Sequence, residues 1–345
     1  MSLAQAIIER DVARLPGRRD EAWRWTDLKG LLREMPPPPP PFGAALPPGP
    51  FVGLGEAEVV VVDGTVLGDP GLLIVPAGQR RAVRLRFVSA AGAAHVAQMS
   101  IRVGEGAELL LLESHEGPAE RYVVDVALDV HVAAGGTLER VVIAADGPEA
   151  VRVATASVVL TGSARFAQTL LTDGARRQRL ETRLAHPGAG ADVRLDGAFV
   201  LTGQRHADAT SIVTHEGPDG TTGQLTKGVV SDQARGVFQG RIVVAPGSDR
   251  TDARMGCHAL VLSDRAEFDA KPELEIYADD VACAHGATVG ALDEDVLFYV
   301  RQRGVPDAEA RAMLTGAFVG EVVDRIGDED VREAARAWAA SRLER

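Results

Sequence analysis

The densest group of reactive side chains lies late in the chain: Cys257-His258, then Asp279-Asp280, then Cys283-Ala284-His285-Gly286. Thiolate sulfur is a soft ligand, imidazole nitrogen a borderline one and carboxylate oxygen a hard one. Together they suit a transition metal or the iron of an iron–sulfur precursor. If residues 281–285 are extended, Cys283 and His285 project to the same side, because alternate strand residues share a face. No CxxC pair and no HExxH is present, so the set has none of the usual zinc spacings. The structural alternative is a buried cysteine beside a histidine satisfied by Asp279 or Asp280. His206 and His215 flank ADATSIVT and read as residues on the surface of a rung. Lys227 and Lys271 read as salt-bridged surface lysines. There is no GxxxxGK(S/T) phosphate loop, no GxGxxG between strand and helix and no GxSxG elbow. Nucleotide-driven or serine-hydrolase chemistry within the chain therefore has no support.

The elements that must position these residues have period two. Val83, Leu85 and Phe87 alternate with Arg84 and Arg86. Val124, Val126, Leu128, Val130 and Val132 alternate with Asp125, Ala127, Asp129 and His131, and Val193 and Leu195 with Asp192, Arg194 and Asp196. Each is a strand with one buried face. From about residue 52 to 278 such strands recur roughly every 12 to 16 residues between turn glycines such as Gly135 and Gly162. No helix-length segment interrupts them, which argues against a doubly wound α/β sheet. A jelly roll, two sandwiches or a solenoid could hold so many short strands. A mainly β chain with a β-helix core over residues 51–290 is the preferred reading, since each strand then stacks on the next coil and few edges remain. No clean hexapeptide or nonapeptide repeat marks it.

Helical ends flank this core. Residues 1–35 read as a helical region with Trp23, Trp25 and Leu28 as packing residues. Glu9, Arg10 and Asp11 stand where a signal peptide would be apolar. Pro36 to Pro41 are six consecutive prolines, followed by Pro47, Pro48 and Pro50. Residues 36–50 are therefore expected as an extended proline-rich linker. Residues 291–345 return to a period of 3.6. One helix is expected from Asp293 to Arg303, closed by Gly304 and Pro306. A second carries Ala310, Met313, Leu314, Ala317, Phe318, Val322 and Ile326 on one stripe and ends at Gly327 in a left-handed cap. A third starts with Asp328, Glu329 and Asp330 at the positive end of its dipole and presents Val331, Ala335, Trp338 and Leu343. These stripes either pack on each other and on the β core or form a docking module.

Composition sets outer limits. The 345 residues carry 37 Lys plus Arg against 49 Asp plus Glu, a net charge of −12, with 46% apolar and 25% charged residues. That is ordinary for a soluble globular chain and gives no pull toward nucleic acid or anionic membrane. All but three of the basic residues are arginine, yet aromatics are 4%, so no stripe combines cations with stacking platforms. Apolar runs such as Val59–Val62 and Leu109–Leu112 fall far short of the roughly 20 residues that cross a bilayer. Two cysteines suit a reducing compartment, so a cytoplasmic location is expected.

Longer motifs add a resemblance. Lys271-Pro272-x-Leu274-Glu275-Ile276-x-Ala278-Asp279-Asp280-Val281, then Cys283-x-His285-Gly286-Ala287-Thr288-Val289-Gly290, then Phe298-Tyr299-x-x-x-Arg303-Gly304 form one specific stretch. Val237-Phe238-x-Gly240-x-Ile242-x-Val244, Thr251-Asp252-Ala253, Leu260 to Ser263, and Glu21-x-Trp23-Arg24-x-Thr26-x-Leu28 extend it. Together they resemble the SufD branch of the SufB/SufD family, scaffold proteins of the SUF iron–sulfur cluster assembly system. The resemblance implies a right-handed parallel β-helix with a helical N-terminal region and a C-terminal helical domain. It implies a non-catalytic subunit that pairs with SufB through the β-helix and binds the ATPase SufC, a separate chain, through the C-terminal helices. Phe298, Tyr299, Arg303, Gly304, Met313, Leu314 and Phe318 would then face SufC. His285 would be the metal ligand at the SufB–SufD interface, with Cys283 beside it, holding iron or a nascent cluster transiently and no permanent cofactor. An isolated chain would have the option of self-pairing into a homodimer.

Two departures stand out. Cys257 falls where SufB keeps its sulfur-accepting cysteine, which is either incidental or a share in sulfur or cluster ligation. The N-terminal region is short and carries the proline run. Gly286 after His285 separates the chain from SufB, which pairs its histidine with glutamate. Against the scaffold reading stands a free-standing β-helix carbohydrate-active enzyme with Asp279 and Asp280 as acid and base. Such carboxyls must lie about 5 to 9.5 Å apart across a sugar, whereas neighbours on one extended strand point to opposite faces.

Overall fold

The computed structural model describes residues 3–67 and 72–343. Met1, Ser2, residues 68–71, Glu344 and Arg345 lie outside the described residues, and with them the first two residues of the expected N-terminal helix.

Among the described residues the alternating segments form eighteen strands. They begin with β1 (Ala57–Val62), β2 (Thr65–Leu67), β3 (Leu72–Val75), β4 (Arg80–Val88), β5 (Ala94–Val103) and β6 (Glu108–Glu116). The middle strands are β7 (Val123–Val132), β8 (Thr137–Ala145), β9 (Val151–Leu160), β10 (Arg165–Thr172), β11 (Arg177–His186) and β12 (Asp192–Leu201). The last are β13 (His206–His215), β14 (Thr221–Val230), β15 (Arg235–Val244), β16 (Thr251–Val261), β17 (Glu267–Ile276) and β18 (Val281–Gly290). From β3 onward even strands pair with even and odd with odd, β4 also bordering β1, which gives a ten-stranded and an eight-stranded sheet. All pairings are parallel except β1 with β2. This is a parallel β-solenoid of about 8 turns, in which each coil contributes one strand to each sheet. Thr137 pairs with Arg165, Arg165 with Asp192, Asp192 with Thr221 and Thr221 with Asp252. The coil length therefore varies by a few residues from turn to turn, which is why no fixed repeat is visible in the sequence.

The core is the space between the sheets. Leu109, Leu138, Phe166 and Val193 form one inward column on the even sheet, and Val130, Val158, Leu184, Val213 and Ile242 one on the odd sheet. All are buried. Corners turn at residues such as Gly135, whose φ of +66° would strain any residue with a Cβ.

Both outer faces are also covered. Helices α1 (Leu3–Glu9) and α2 (Leu28–Leu31) lie on the odd sheet, where Leu3, Ile7, Leu28 and Leu32 pack against Val123, Val151 and Val153. The N-terminal region is thus two short helices and two 3₁₀ turns, not one long helix. Pro16 and Gly17 interrupt it by removing an amide donor and adding backbone freedom. On the even sheet, α4 (Asp307–Val323) and α5 (Glu329–Leu343), preceded by α3 (Glu294–Gln302), bury Val319, Val322, Ile326, Val331 and Trp338 against Ile143, Leu171, Val200 and Val229. Each such side chain contributes about 1.5–3 kcal/mol on burial, enough to fix both helices to the sheet.

Several expectations change. The proline segment is extended but not free: Arg10 donates to the carbonyls of Met35 and Pro36, Ala94 N–H to that of Pro37, and Arg86 to that of Pro47. It is a strap laid over the solenoid, and Phe51 at its end is buried with the C-terminal helices. His206 and His215 are buried, not on a rung surface: the N-terminal segment covers outward-facing His206, whose Nε2 lies 2.9 Å from the Trp25 carbonyl, while His215 follows Val213 on the inward face beside core Val244. Lys227 is buried too, while Lys271 is a paired, accessible lysine as expected. Gly304 is left-handed at φ +87°, as its cap position requires. Gly327 instead donates its N–H to Glu139 (2.8 Å), tying the α4–α5 turn to β8.

Candidate functional site

β18 and β17 are the terminal strands of their sheets, so each leaves one edge unpaired among the described residues. Pro272 within β17 is tolerated there because an edge strand need not donate on both sides. Edges are normally guarded by charge, proline or a bulge. β18 reads VACAHGATVG and carries neither lysine, arginine, carboxylate nor proline.

Register places the candidate ligands. Cys283 lies beside Ala253, His285 beside Met255 and Ala287 beside Cys257. Ala253, Met255 and Cys257 are buried in the core between the sheets, so Cys283 and His285 share the inward side of the last strand. One strand spacing and two residues along the chain put the Cys257 and His285 Cβ atoms on the order of 8 Å apart. Cys257 is fully buried, and that burial pushes its thiol up to about 12. Cys283 is half-buried. Burial raises its thiol, Asp252 adds to the rise and a hydrogen bond from the Ala253 backbone opposes it. Both cysteines are therefore thiols at neutral pH, and a metal would have to displace their protons to bind. His285 is exposed. Among the described residues, no three His, Cys, Asp or Glu side chains gather closely enough to hold a metal ion.

On the outward side, Gly256 and Gly286 are register partners. With Arg254, Ala284 and Arg325 they line an open hollow of about 460 Å³ that reaches the strand edge at His285. His258 also faces outward, its Nδ1 2.8 Å from Thr288 Oγ1, so it braces β16 to β18 and does not join the cysteines. Asp279 and Asp280 are exposed in the corner between β17 and β18, not on a strand. The Asp280 carbonyl accepts the Arg250 N–H (2.6 Å).

The C-terminal helices divide their apolar residues between two sides. Asp293 caps α3 by accepting from Asp295 N and Val296 N, and Leu297 alone of that helix is buried. Phe298 is 62% exposed, Tyr299 58% and Met313 54%. Arg303 stacks on the Tyr299 ring at 4.3 Å and donates to its hydroxyl, and Gly304 then turns the chain. Leu314 and Phe318 are half-buried, and Phe318 lies over Lys227. The stripe read from the sequence thus splits: Ala310, Val322 and Ile326 are buried, while Met313 and Ala317 are exposed.

Two polar assemblies escaped the sequence reading. The N-terminal segment clamps the odd sheet: Thr26 donates to Asp208 (2.5 Å), Arg179 bridges Asp208 and Glu181 beneath Trp23, and Lys271 pairs with Glu21 at 2.9 Å. Its sequence signal was the Glu21-x-Trp23-Arg24-x-Thr26 motif, to which spacing alone gives no role. Deep in the core, Glu113 meets Arg140 and His115, and Asp146 meets Arg152 and Tyr122. Burial alone would raise Glu113, but the Arg140 guanidinium and His115 hold it at about 2.

The profile of the SUF system FeS cluster assembly, SufBD core domain, matches residues 86–318, from within β4 into α4. The chain is 32% identical over 244 residues to the iron-sulfur cluster assembly protein SufD of Escherichia coli (strain K12), covering 70% of this chain and 57% of that protein. It is 33% identical over 181 residues to an iron-sulfur cluster assembly SufBD family protein of Synechocystis sp., covering 52% and 40%. With SufD of Bacillus subtilis (strain 168) it shares 30% over 168 residues, covering 49% and 38%. The chain thus spans about half the length of the curated relatives it matches. A profile match over more than half of its length, together with these relatives, makes the chain a member of the SufB/SufD family of iron–sulfur cluster assembly proteins.

Proposed function

We propose that the chain is a SufD-like, non-catalytic scaffold subunit of a cytoplasmic SUF assembly complex. It pairs with SufB through the β17–β18 end of the solenoid and binds SufC through the exposed faces of α3 and α4. The observation that carries this reading is the unguarded last strand, β18, with His285 and Cys283 on its inward side. An unpaired parallel edge is a template for another strand, and a second solenoid brought against it would complete the coordination that one chain lacks. Iron or a nascent cluster is the cargo at that joint. Neutral imidazole and thiolate are the ligand forms, so loading releases a proton from Cys283 and weakens as pH falls. Phe298, Tyr299 and Met313 form an apolar surface of the kind partner proteins cover. The SufD name of the E. coli and B. subtilis relatives supports the same assignment.

The test is co-expression with the cognate SufB and SufC. A stable complex is expected, and His285→Ala within it should lose cluster assembly while keeping all three chains together. Failure of the complex to form, or full cluster assembly by the variant, overturns the reading.

A further inference from the structure

The inward row of side chains that carries Leu170 and Thr226 has a gap between them. Leu170, Gly197 and Thr226 are register partners on β10, β12 and β14, and Gly197 has no side chain to fill the middle place. Its φ is not left-handed, so the backbone does not require glycine there and the effect is on space alone. Inward Gly228 and Gly240 differ, because a Cβ there would collide with Phe268 or Met255. At Gly197 a cavity of about 20 Å³ stays open between the sheets. That is room for one water molecule, which needs roughly 10–15 Å³. The gap is part of the solenoid interior, so what it holds is independent of the proposed scaffold role.

Five buried polar side chains line this gap: Gln168, Thr182, Ser211, Gln224 and Thr226. Their hydrogen bonds are incomplete. Gln168 Oε1 accepts from Arg140 Nη1 (2.5 Å) and Thr182 Oγ1 (3.1 Å), which fixes the orientation of the amide and leaves Nε2 as its free end. Ser211 and Gln224 bond each other at 3.1 and 2.9 Å. Gln168 Nε2 and Thr226 Oγ1 have no partner among the described residues. Neither atom is sealed by its neighbours, so both open onto the cavity that their residues line. Asp196 also borders it but turns its carboxylate outward to Arg194 and Arg325, so no charge faces the gap. Buried amides and hydroxyls are nearly always satisfied, and cavities that stay dry have apolar walls. We infer that the gap beside Gly197 is a binding site for a single long-lived water molecule, which accepts from Gln168 Nε2 and shares a hydrogen bond with Thr226 Oγ1. Through Gln168 this water joins the Glu113–Arg140 pair to the polar groups of β13 and β14.

Gly197→Ala is the deciding variant of the full chain. The added Cβ meets Thr226 Oγ1 at 3.7 Å and the Leu170 carbonyl oxygen at 3.8 Å, ordinary contacts, so the methyl group fits and takes the place of the water. In a dry gap the same methyl would fill space, stiffen the unfolded chain less favourably for unfolding, and raise the melting temperature. Displacing a bound water leaves Gln168 Nε2 unpaired and should lower the melting temperature by about 1–3 °C. Oxygen-17 relaxation dispersion, which counts long-lived internal waters, should find one fewer in Gly197→Ala than in the wild type. Thr226→Val keeps the side-chain shape but removes one partner, and should speed exchange of that water about tenfold. A crystal structure of the wild type should show one water within hydrogen-bond distance of Gln168 Nε2 and Thr226 Oγ1. A higher melting temperature or an unchanged water count in Gly197→Ala overturns the inference. So does unchanged exchange in Thr226→Val, which serves alone if Gly197→Ala does not fold, or a wild-type crystal structure with no density in the gap.

Discussion

The Lys227 ammonium lies 4.3 Å from the centre of the Phe318 ring, which joins the even sheet to α4 by a buried cation–π contact. Glu321, one turn further along, takes the same ammonium at 2.6 Å but is largely exposed, so most of the coupling falls to the ring. Lys227→Met should cost about 1–2 kcal/mol and make the C-terminal helices the first part of the chain cut by limited proteolysis. An unchanged cleavage pattern would show that the apolar stripe alone holds them.

The two thiols should be told apart chemically. With its pKa near 12, Cys257 is thiolate in only about one molecule in ten thousand at pH 8, and it is sealed in the core. Cys283 is half-buried on the last strand. Titration of the native isolated chain with an aromatic disulfide should reveal one reactive thiol, and the second only after unfolding. Equal rates at both would mean that the solenoid end opens in solution.

Acid should weaken the fold through its enclosed histidines. Burial lowers His95, His206 and His215 to about 4, helped by Arg152, Arg177 and His186 respectively. Between pH 6.5 and 4 the unfolded chain binds protons at these sites and the native chain does not, so stability falls as pH falls. Asp125 and Asp196, raised to about 6 by burial, act in the opposite sense between pH 6 and 3.8 and offset part of the loss. The melting temperature should therefore drop from pH 7 to pH 5, and His215→Gln should flatten that slope. An identical slope in the variant would remove His215 from the account.

Pairing and metal binding should separate by mutation. Ala284→Lys places a charge on the bare face of β18 and should reduce recovery of SufB at least tenfold. His285→Ala should leave recovery intact. Loss of pairing in both variants would show that His285 is needed for the joint itself.

Phe298→Ser and Tyr299→Ser remove apolar surface that is already in water, so the melting temperature should move by less than about 2 °C. SufC binding should weaken at least tenfold, read by calorimetry on the purified pair. Unchanged affinity would shift the docking surface away from α3.

Much of the architecture was legible because strands and helices differ in period. Val124 to Val132 announce β7, and Asp293 with Gly304 bracket α3. The coil length was hidden because the register spacing drifts between successive turns. The interior polar groups were hidden for another reason. Arg179, Asp208 and His206 alternate with apolar residues as solvent-facing residues do, but the N-terminal segment covers them. At the candidate site, the two-residue spacing of Cys283 and His285 foretold their common side once β18 was extended. Spacing could not foretell that β18 would be the last strand, since that depends on where the coil stops.

The other end of the even sheet is closed differently. There β2 runs antiparallel on β1, and its three residues leave too short a border to continue a parallel stack. Growth by stacking is therefore one-sided. Two solenoids joined through their β18 ends turn only the β2 borders of the even sheet outward, so along that sheet stacking stops at two and terminates before a filament can begin.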